Sequence, residues 1–528
     1  MPLPVGTIFG PLYLGGPTCT CPHCGARFWL EEQVRGCRTT NPVYNRCCRG
    51  GSIVLPSYRP PPQPLLHLLT REDPSHFFDN IRRYNSMFAM TSMGVKVINA
   101  INDGHGPYVF KISGQLCHRV GSLIPAHGKR PEYCQLYIFD TGNEIQNRMT
   151  VAEAQRADFH PNEALVAAFI AMFDTHNPIV KTFRTARDRL AATTLSDRLE
   201  DHYAVKLFSA PKQHGNIYSD PVASEVVGLV VNDLGNTDKG LDLVVQQHSS
   251  QLQRIQETHC KFMVMQYPLL FPYGEDGFHD HLYYMTCPCS NKMKRQKNTM
   301  AEYYSYGLHD RAGDFNTPLR CSRLTQAYQV DAYCCVEDER LRHYRKESFQ
   351  KKYRSSPYNA LVQAVRNGIT EASSVGQITI LPGSFTGSPR YYYQNYQDCV
   401  AICRRFGCPD LFITFTCNAL WTEIEDALSF IPEQHASDRP DIVDRVFQTK
   451  LKLLMDDIEK YDFLDLSLEV LFSLPYHLCL SIAPTSPYYY LPITHRASYL
   501  RNMQFTTLHT LRHTMFWYPF FFRSCLHN

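Results

Sequence analysis

Residues 409–421 read Pro-Asp-Leu-Phe-Ile-Thr-Phe-Thr-Cys-Asn-Ala-Leu-Trp. From 410 to 417 the run is almost continuously apolar, which fits a strand covered on both faces and so central in a sheet. Before it, residues 396–406 have the spacing of a helix, and Gly407 stops it. After it, Pro440 opens a helix to residue 460, with Ile442, Val443, Val446, Leu451, Leu454, Met455 and Ile458 mostly on one face.

Toward the N-terminus the elements are mixed, and the fold class expected for the whole chain is α+β. Residues 319–347 look helical, and residues 378–381 read as a strand before a Gly/Ser/Pro loop at 382–390. The segment 266–277, Gln-Tyr-Pro-Leu-Leu-Phe-Pro-Tyr-Gly-Glu-Asp-Gly, carries two prolines and two glycines. It reads as a packed loop with aromatic anchors. Residues 162–173 form a helix, and Asn177-Pro178 ends it and starts another, whose apolar stripe is Ile179, Val180, Phe183, Ala186 and Leu190. Residues 65–78 look helical, and 109–116 and 135–140 read as strands.

The 528 residues suggest three or four domains. The expected divisions are a Cys-rich region at 1–62 closed by Pro60-Pro61-Pro62, an α+β region at 63–284, and a basic loop or linker at 285–318. A partial α/β domain at 319–460 and a tail at 461–528 complete the chain. The tail contains no Gly and no Lys, and 15 of its 68 residues are aromatic. It has neither helical nor strand periodicity, so it is expected to be disordered or poorly packed.

With 53 Lys+Arg against 50 Asp+Glu, the net charge is only +3, so any surface for nucleic acid is a local patch. No run of 18 apolar residues occurs, which argues against a membrane span, and the first ten residues do not resemble a signal peptide. The 20 cysteines are therefore expected as thiols or metal ligands.

Cys21-Pro-His-Cys24 followed by Cys47-Cys48 is the first constellation that can carry chemistry. A C-x2-C knuckle aims two thiolates at one ion, and a second pair completes a tetrahedral S4 site, for which structural zinc is suited. Cys19, Cys37 or His23 can replace one of the four, and the bland reading is a loop of reduced thiols. The second is the run 340–354, where Arg340, Arg342, Arg345, Lys346, Lys351, Lys352 and Arg354 stand against Glu347 alone. Tyr344, Phe349 and Tyr353 interleave with them, as in surfaces that hold phosphates and stack on unpaired bases. The bland reading is a solvated helix with its aromatics turned to the core. Cys287-Pro-Cys289 and His279-Asp280-His281 are weak as metal sites. No G-x4-G-K-[ST], G-x-G-x-x-G, H-E-x-x-H or G-x-S-x-G is present, so no ATP site is expected.

Several stretches together resemble the N-terminal half of Helitron proteins, the rolling-circle transposases. They are Cys21-Pro-His-Cys24-Gly-Ala with Cys47-Cys48, residues 77–91, 114–123, His176-Asn-Pro178 with the helix after it, and 266–277. Gly383-Ser-Phe-Thr-Gly-Ser-Pro-Arg-Tyr391, Gln394-Asn-Tyr-Gln-Asp398 and 409–421 follow in the same order. The resemblance implies a zinc-finger-like region, an initiator nuclease domain of the HUH type that nicks single-stranded DNA with tyrosine at a metal-polarised phosphate, a helicase, and a nuclear location. It also implies single-stranded or transposon-end DNA as partner. Phe412-Ile-Thr-Phe-Thr416 matches the first nuclease motif, but Ala419 stands where the family has proline. The Gly-Leu-Pro-His-x-His run, the paired tyrosines and the helicase have no counterpart after residue 460, so no catalytic residue is assigned. A truncated gene copy, or a frame or splice error, would explain the change of composition at the same point. The expected function is that of a truncated, non-catalytic Helitron transposase-like protein with DNA binding. The alternatives are a domesticated nuclear DNA- or protein-binding protein, or a pseudogene product.

Overall fold

The computed structural model describes residues 12–34, 36, 42–70, 75–93, 96–97, 112–113, 118–120, 123–125, 127–155, 159–194, 203–207, 227–231, 243–246, 253–285, 296–353, 380–406, 411–431, 434–460, 467–474 and 477–483. The chain is mixed and mostly helical, with short strands in small antiparallel sheets. No helix among these residues is long and apolar enough to cross a membrane.

The main core draws on residues from Leu65 to Val336. Its centre is the helix Ser75–Phe88, which places Phe77, Ile81, Tyr84 and Phe88 on one face at helical spacing. They meet Phe159, Phe169 and Phe173, with Tyr84 edge-on to Phe159 at 5.6 Å and Phe88 edge-on to Phe169 at 5.7 Å. Asn162 caps the helix Glu163–His176 through the amide of Leu165. Asn177 ends that helix and caps Pro178–Thr194, its Oδ1 accepting from the amides of Ile179 and Val180 at 3.0 and 3.2 Å. The punctuation expected at Asn177-Pro178 is thus physical.

The loop 266–277 packs as its aromatics require. Tyr267, Leu269, Leu270 and Phe271 are buried, and the Tyr267 hydroxyl donates to Asp331 at 2.5 Å. Gly274 sits at φ +67°, where an added Cβ would lie 3.0 Å from the Pro178 ring. The loop is therefore pressed onto the start of the next helix, and only glycine allows it.

Several expectations are corrected. Residues 135–140 are not a strand. Tyr133–Tyr137 is a 3-10 helix that buries Cys134 and Tyr137, one turn apart, between left-handed residues at Tyr133 (φ 53°) and Asp140 (φ 51°). Within the stretch expected as linker, Met300–Gly307 is a helix with a capping box between Thr299 and Glu302. Met300 and Tyr304, four apart, enter the main core, a pairing that the basic residues just before them concealed. The helix expected from 396 begins at Pro389 and runs to Phe406.

The strand at the centre of 409–421 is Leu411–Thr414. It pairs antiparallel with His477–Ala483, and that strand pairs in turn with Ser467–Leu474, giving a three-stranded sheet in which, among the described residues, Leu411–Thr414 lies at an edge and not at the central position expected from its apolar run. The sheet thus extends into residues expected as a poorly packed tail, because backbone hydrogen bonds close a ladder regardless of side-chain periodicity. Residues 484–528 lie outside the described residues.

A second core joins Trp29 to Ile424, Ala427, Leu428, Ile442, Val443 and Val446. The Cys-rich end therefore supplies the largest side chain of the hydrophobic centre between Thr422–Leu428 and Pro440–Lys460.

Candidate metal centre and nucleic-acid surface

The Cys-rich end folds as a hairpin, with Cys19–Thr20 antiparallel to Arg27–Phe28. Between them the C-x2-C turn closes with the Gly25 amide on the Cys21 carbonyl (2.9 Å) and the Cys21 amide on that of Ala26 (2.8 Å). Gly25 takes φ +69°, the left-handed conformation that the tight turn needs. The second pair lies in a coil where Arg49, Gly50 and Gly51 are all left-handed, and the Gly51 amide approaches Cys48 Sγ at 3.2 Å.

The sulfurs of Cys21, Cys24, Cys47 and Cys48 all lie within 4.8 Å of one another. Cys21–Cys48 and Cys47–Cys48 are each 3.7 Å apart. Four sulfurs at about 2.3 Å from a central ion would be separated by about 3.8 Å, so the geometry fits a tetrahedral ion. Cys21, Cys47 and Cys48 are buried and Cys24 is half-buried. Hydrogen bonds from Cys24, then Cys47 and Cys48, pull the Cys21 thiol far below its ordinary value. For Cys24 the bond with Cys21 acts upward, but Cys47 and Cys48 outweigh it and the thiol falls to about 6. Cys47 and Cys48 are pushed far up, first by their bonds to Cys21. Four thiolates cannot share this buried volume without a cation, and a bound divalent ion would supply the missing charge. With four protein sulfurs and no open position, such an ion would be structural. Cys19 stands outside the quartet, although it bonds with Tyr44, and Cys37 lies outside the described residues. His23 lies against Gly51, where a Cβ would come within 3.0 Å of its Nδ1.

The module is held from two sides. Phe28 stacks on Tyr44 at 4.3 Å and tilts against His309 at 5.0 Å. The Arg27 amide donates to the Asp310 carbonyl, Ser305 Oγ to that of Arg46, and Arg49 pairs with Glu302 at 2.6 Å. On the other side Arg445 forms a buried pair with Glu32 at 2.7 Å and also donates to the Arg27 carbonyl. The Leu14 amide donates to Glu423, and Lys450 reaches the Leu12 carbonyl.

The basic run is divided between the C-terminal end of the helix Arg323–Arg345 and the helix Glu347–Tyr353. Three of its arginines face acids from outside the run. Arg340 pairs with Glu337 at 3.2 Å, Arg345 with Asp338 at 3.0 Å, and Arg342 with the buried Glu257. Tyr344 packs edge-on to Phe349 at 5.2 Å and to the buried Phe385 at 5.5 Å, so these rings are turned inward. Lys346 is exposed, Lys351 and Lys352 lie in the second helix, and Arg354 is outside the described residues. The seven cations are therefore not one uniform positive face.

His279 and His281 have ring centroids 6.3 Å apart. Burial lowers His279 to about 4, against an upward pull from Asp276. Among the described residues the cysteine quartet is the only convergence of three or more metal-capable groups. Cys287 and Cys289 lie outside those residues.

Sequence reasoning missed one feature. On the helix Pro389–Phe406, Tyr392, Tyr393 and Tyr396 are 44%, 66% and 62% exposed. Its signal was the triple tyrosine after Pro389, hidden because the helix was expected to begin only at 396. A search of curated proteins finds no match to the chain. Residues 303–468, from the Met300–Gly307 helix to the second strand of the C-terminal sheet, match the family model described as the Helitron helicase-like domain at the N-terminus, and the chain is Helitron-related through that domain.

Proposed function

We propose that this chain is a Helitron transposase-like protein that binds single-stranded DNA in the nucleus, with structural zinc held by Cys21, Cys24, Cys47 and Cys48. The family match over 303–468 carries the reading, because it spans the basic run, the tyrosine-bearing helix and the strand Leu411–Thr414. The sheet built on that strand is, on this reading, part of an initiator-type α/β domain of the HUH class. No side chain is assigned a catalytic role, and without a G-x4-G-K-[ST] the 528 residues are not expected to hydrolyse ATP.

The test is binding of a fluorescent oligo-dT to the zinc-loaded chain across a salt series. Affinity should fall as salt rises, with log K linear in log salt. Changing Lys346, Lys351 and Lys352 together to Ala should flatten the slope by about 2, at roughly 0.7 for each single-strand phosphate no longer neutralised. Salt-independent binding, or none, would remove the DNA-binding reading. ATP hydrolysis or tyrosine-linked nicking by the purified chain would overturn the non-catalytic part.

A further inference from the structure

The helix Pro389–Phe406 carries an exposed stripe that the metal centre and the basic run do not use. At 100° per residue, Arg390, Tyr393, Tyr396, Gln397 and Arg404 fall within about 120° of the helix circumference. All five are exposed, the two tyrosines by 66% and 62%. Asp398, the helix's one acid, projects on average well to the side of this stripe. A large aromatic side chain left in water is unfavourable unless something covers it, and two such rings one turn apart make a patch.

We infer that this stripe is a stacking platform for two neighbouring bases of a single-stranded nucleic acid, with Tyr393 and Tyr396 beneath the bases and Arg390 and Arg404 on the flanking phosphates. Three observations favour a strand over a protein partner. The stripe is about 21 Å long and about 10 Å wide, from a rise of 1.5 Å per residue and the diameter of one helix. A protein interface buries about 800 Å² per partner, several times that strip. Its charges are cationic at both ends, with two Tyr, Gln and the half-buried Val400 between them, which complements a phosphate chain with open bases. The tyrosine Cβ atoms are about 5–6 Å apart, as expected for residues three apart on a helix, a spacing that admits successive unpaired bases. A duplex hides its base faces and gains nothing from the rings.

The inference rests on the single-strand-binding reading above and places the binding surface on this helix. The experiment compares fluorescein-labelled oligo-dT with a hairpin duplex of the same charge, using the full zinc-loaded chain. Tyr393→Ala with Tyr396→Ala should weaken oligo-dT binding at least about 25-fold, since removing each base stack costs about fivefold or more. Duplex binding should stay within about twofold. Tyr393→Phe with Tyr396→Phe should retain the oligo-dT affinity, because phenyl rings stack without the hydroxyl. Arg404→Ala should flatten the single-strand salt slope by about 0.7. All the substituted positions are at the surface, so circular dichroism should be unchanged. A wild-type chain that binds neither oligonucleotide overturns both readings. A wild type that binds while the double Ala variant binds equally, or loses duplex and single strand alike, overturns only the platform. So does a Phe variant that loses as much as the Ala variant.

Discussion

The metal centre and the basic run are both short stretches rich in one chemistry, yet the fold treats them in opposite ways. The four cysteines converge within 4.8 Å, in a module fastened to the 300–310 segment and to the helix Pro440–Lys460. In the basic run, by contrast, Arg340 and Arg345 pair with Glu337 and Asp338 of their own helix, and Arg342 with the distant Glu257. Metal ligands must meet one another, so their spacing in sequence announces the site. Cations meet whatever acid lies within reach, on the preceding turns of their own helix or brought by the tertiary structure, so a count of the cations alone overstates the positive surface.

The strongest way to break this contrast is at the cysteines. Structural zinc contributes about 10–16 kcal/mol in small zinc modules, as much as a whole domain's stability of about 5–15 kcal/mol. Cys21→Ser or Cys47→Ser should therefore unfold the N-terminal module. Trp29, 1% exposed in the second core, reports it. Elemental analysis should give one zinc per chain, and EDTA should red-shift the tryptophan fluorescence. A chain with no zinc, or unchanged fluorescence after its removal, would sever the metal from the fold.

Next in size is the junction itself. Glu32→Ala leaves Arg445 buried without its partner, at a cost of about 3–5 kcal/mol. Changing both, Glu32→Leu with Arg445→Met, should recover most of that loss, because a buried ion pair adds little over a packed apolar pair. Denaturant midpoints measure both. If the double variant is as damaged as the single, Arg445 does more than neutralise Glu32, for instance through its position 4.9 Å over Trp29.

What the sequence disclosed, and what it hid, follows distance along the chain. The Asn177-Pro178 helix junction and the Pro440–Lys460 helix were legible because their determinants lie within a few turns of one another, and the quartet because each of its two cysteine pairs is itself local. Trp29 was not, since its partners begin at Ile424 and no local pattern points so far. The 133–137 turn was misread because Leu-Tyr-Ile-Phe is a short apolar and aromatic run of the kind strands favour, while its ends are set by left-handed residues that composition does not announce. The exposed tyrosines could have been found had Pro389 been taken as a helix start.

A smaller effect concerns pH at the same helix. Burial raises the Asp444 carboxyl to about 8, against the pull of Gln448 and Arg46. The unfolded carboxyl has its ordinary value of 3.8, so between those values the folded chain binds more protons than the unfolded one. Stability must then fall as pH rises through this window. Between pH 6 and 8, where the cysteine site keeps its metal, the loss should be about 1.4 kcal/mol per pH unit at most. Asp444→Asn should flatten the curve, and thermal unfolding of both proteins across that range checks it. An unchanged slope would place the proton elsewhere.

The smallest effect returns to the cations. Arg340 and Glu337 are 33% and 25% exposed, and such pairs contribute about 0.2–1 kcal/mol. Arg340→Ala should therefore move the unfolding midpoint little. Arg342→Ala should cost more, because Glu257 is fully buried and would be left with its charge uncompensated or taking up a proton. The instructive measurement is the salt slope of oligo-dT binding in the two variants. An arginine already held by a carboxylate adds little net charge to the surface, so its removal changes little in the counterions released by the bound strand. Both slopes should stay near wild type while the Lys346/Lys351/Lys352 variant flattens. If Arg340→Ala flattens the slope as much as a lysine does, its pairing with Glu337 gives way when DNA arrives, and the run is a positive face after all.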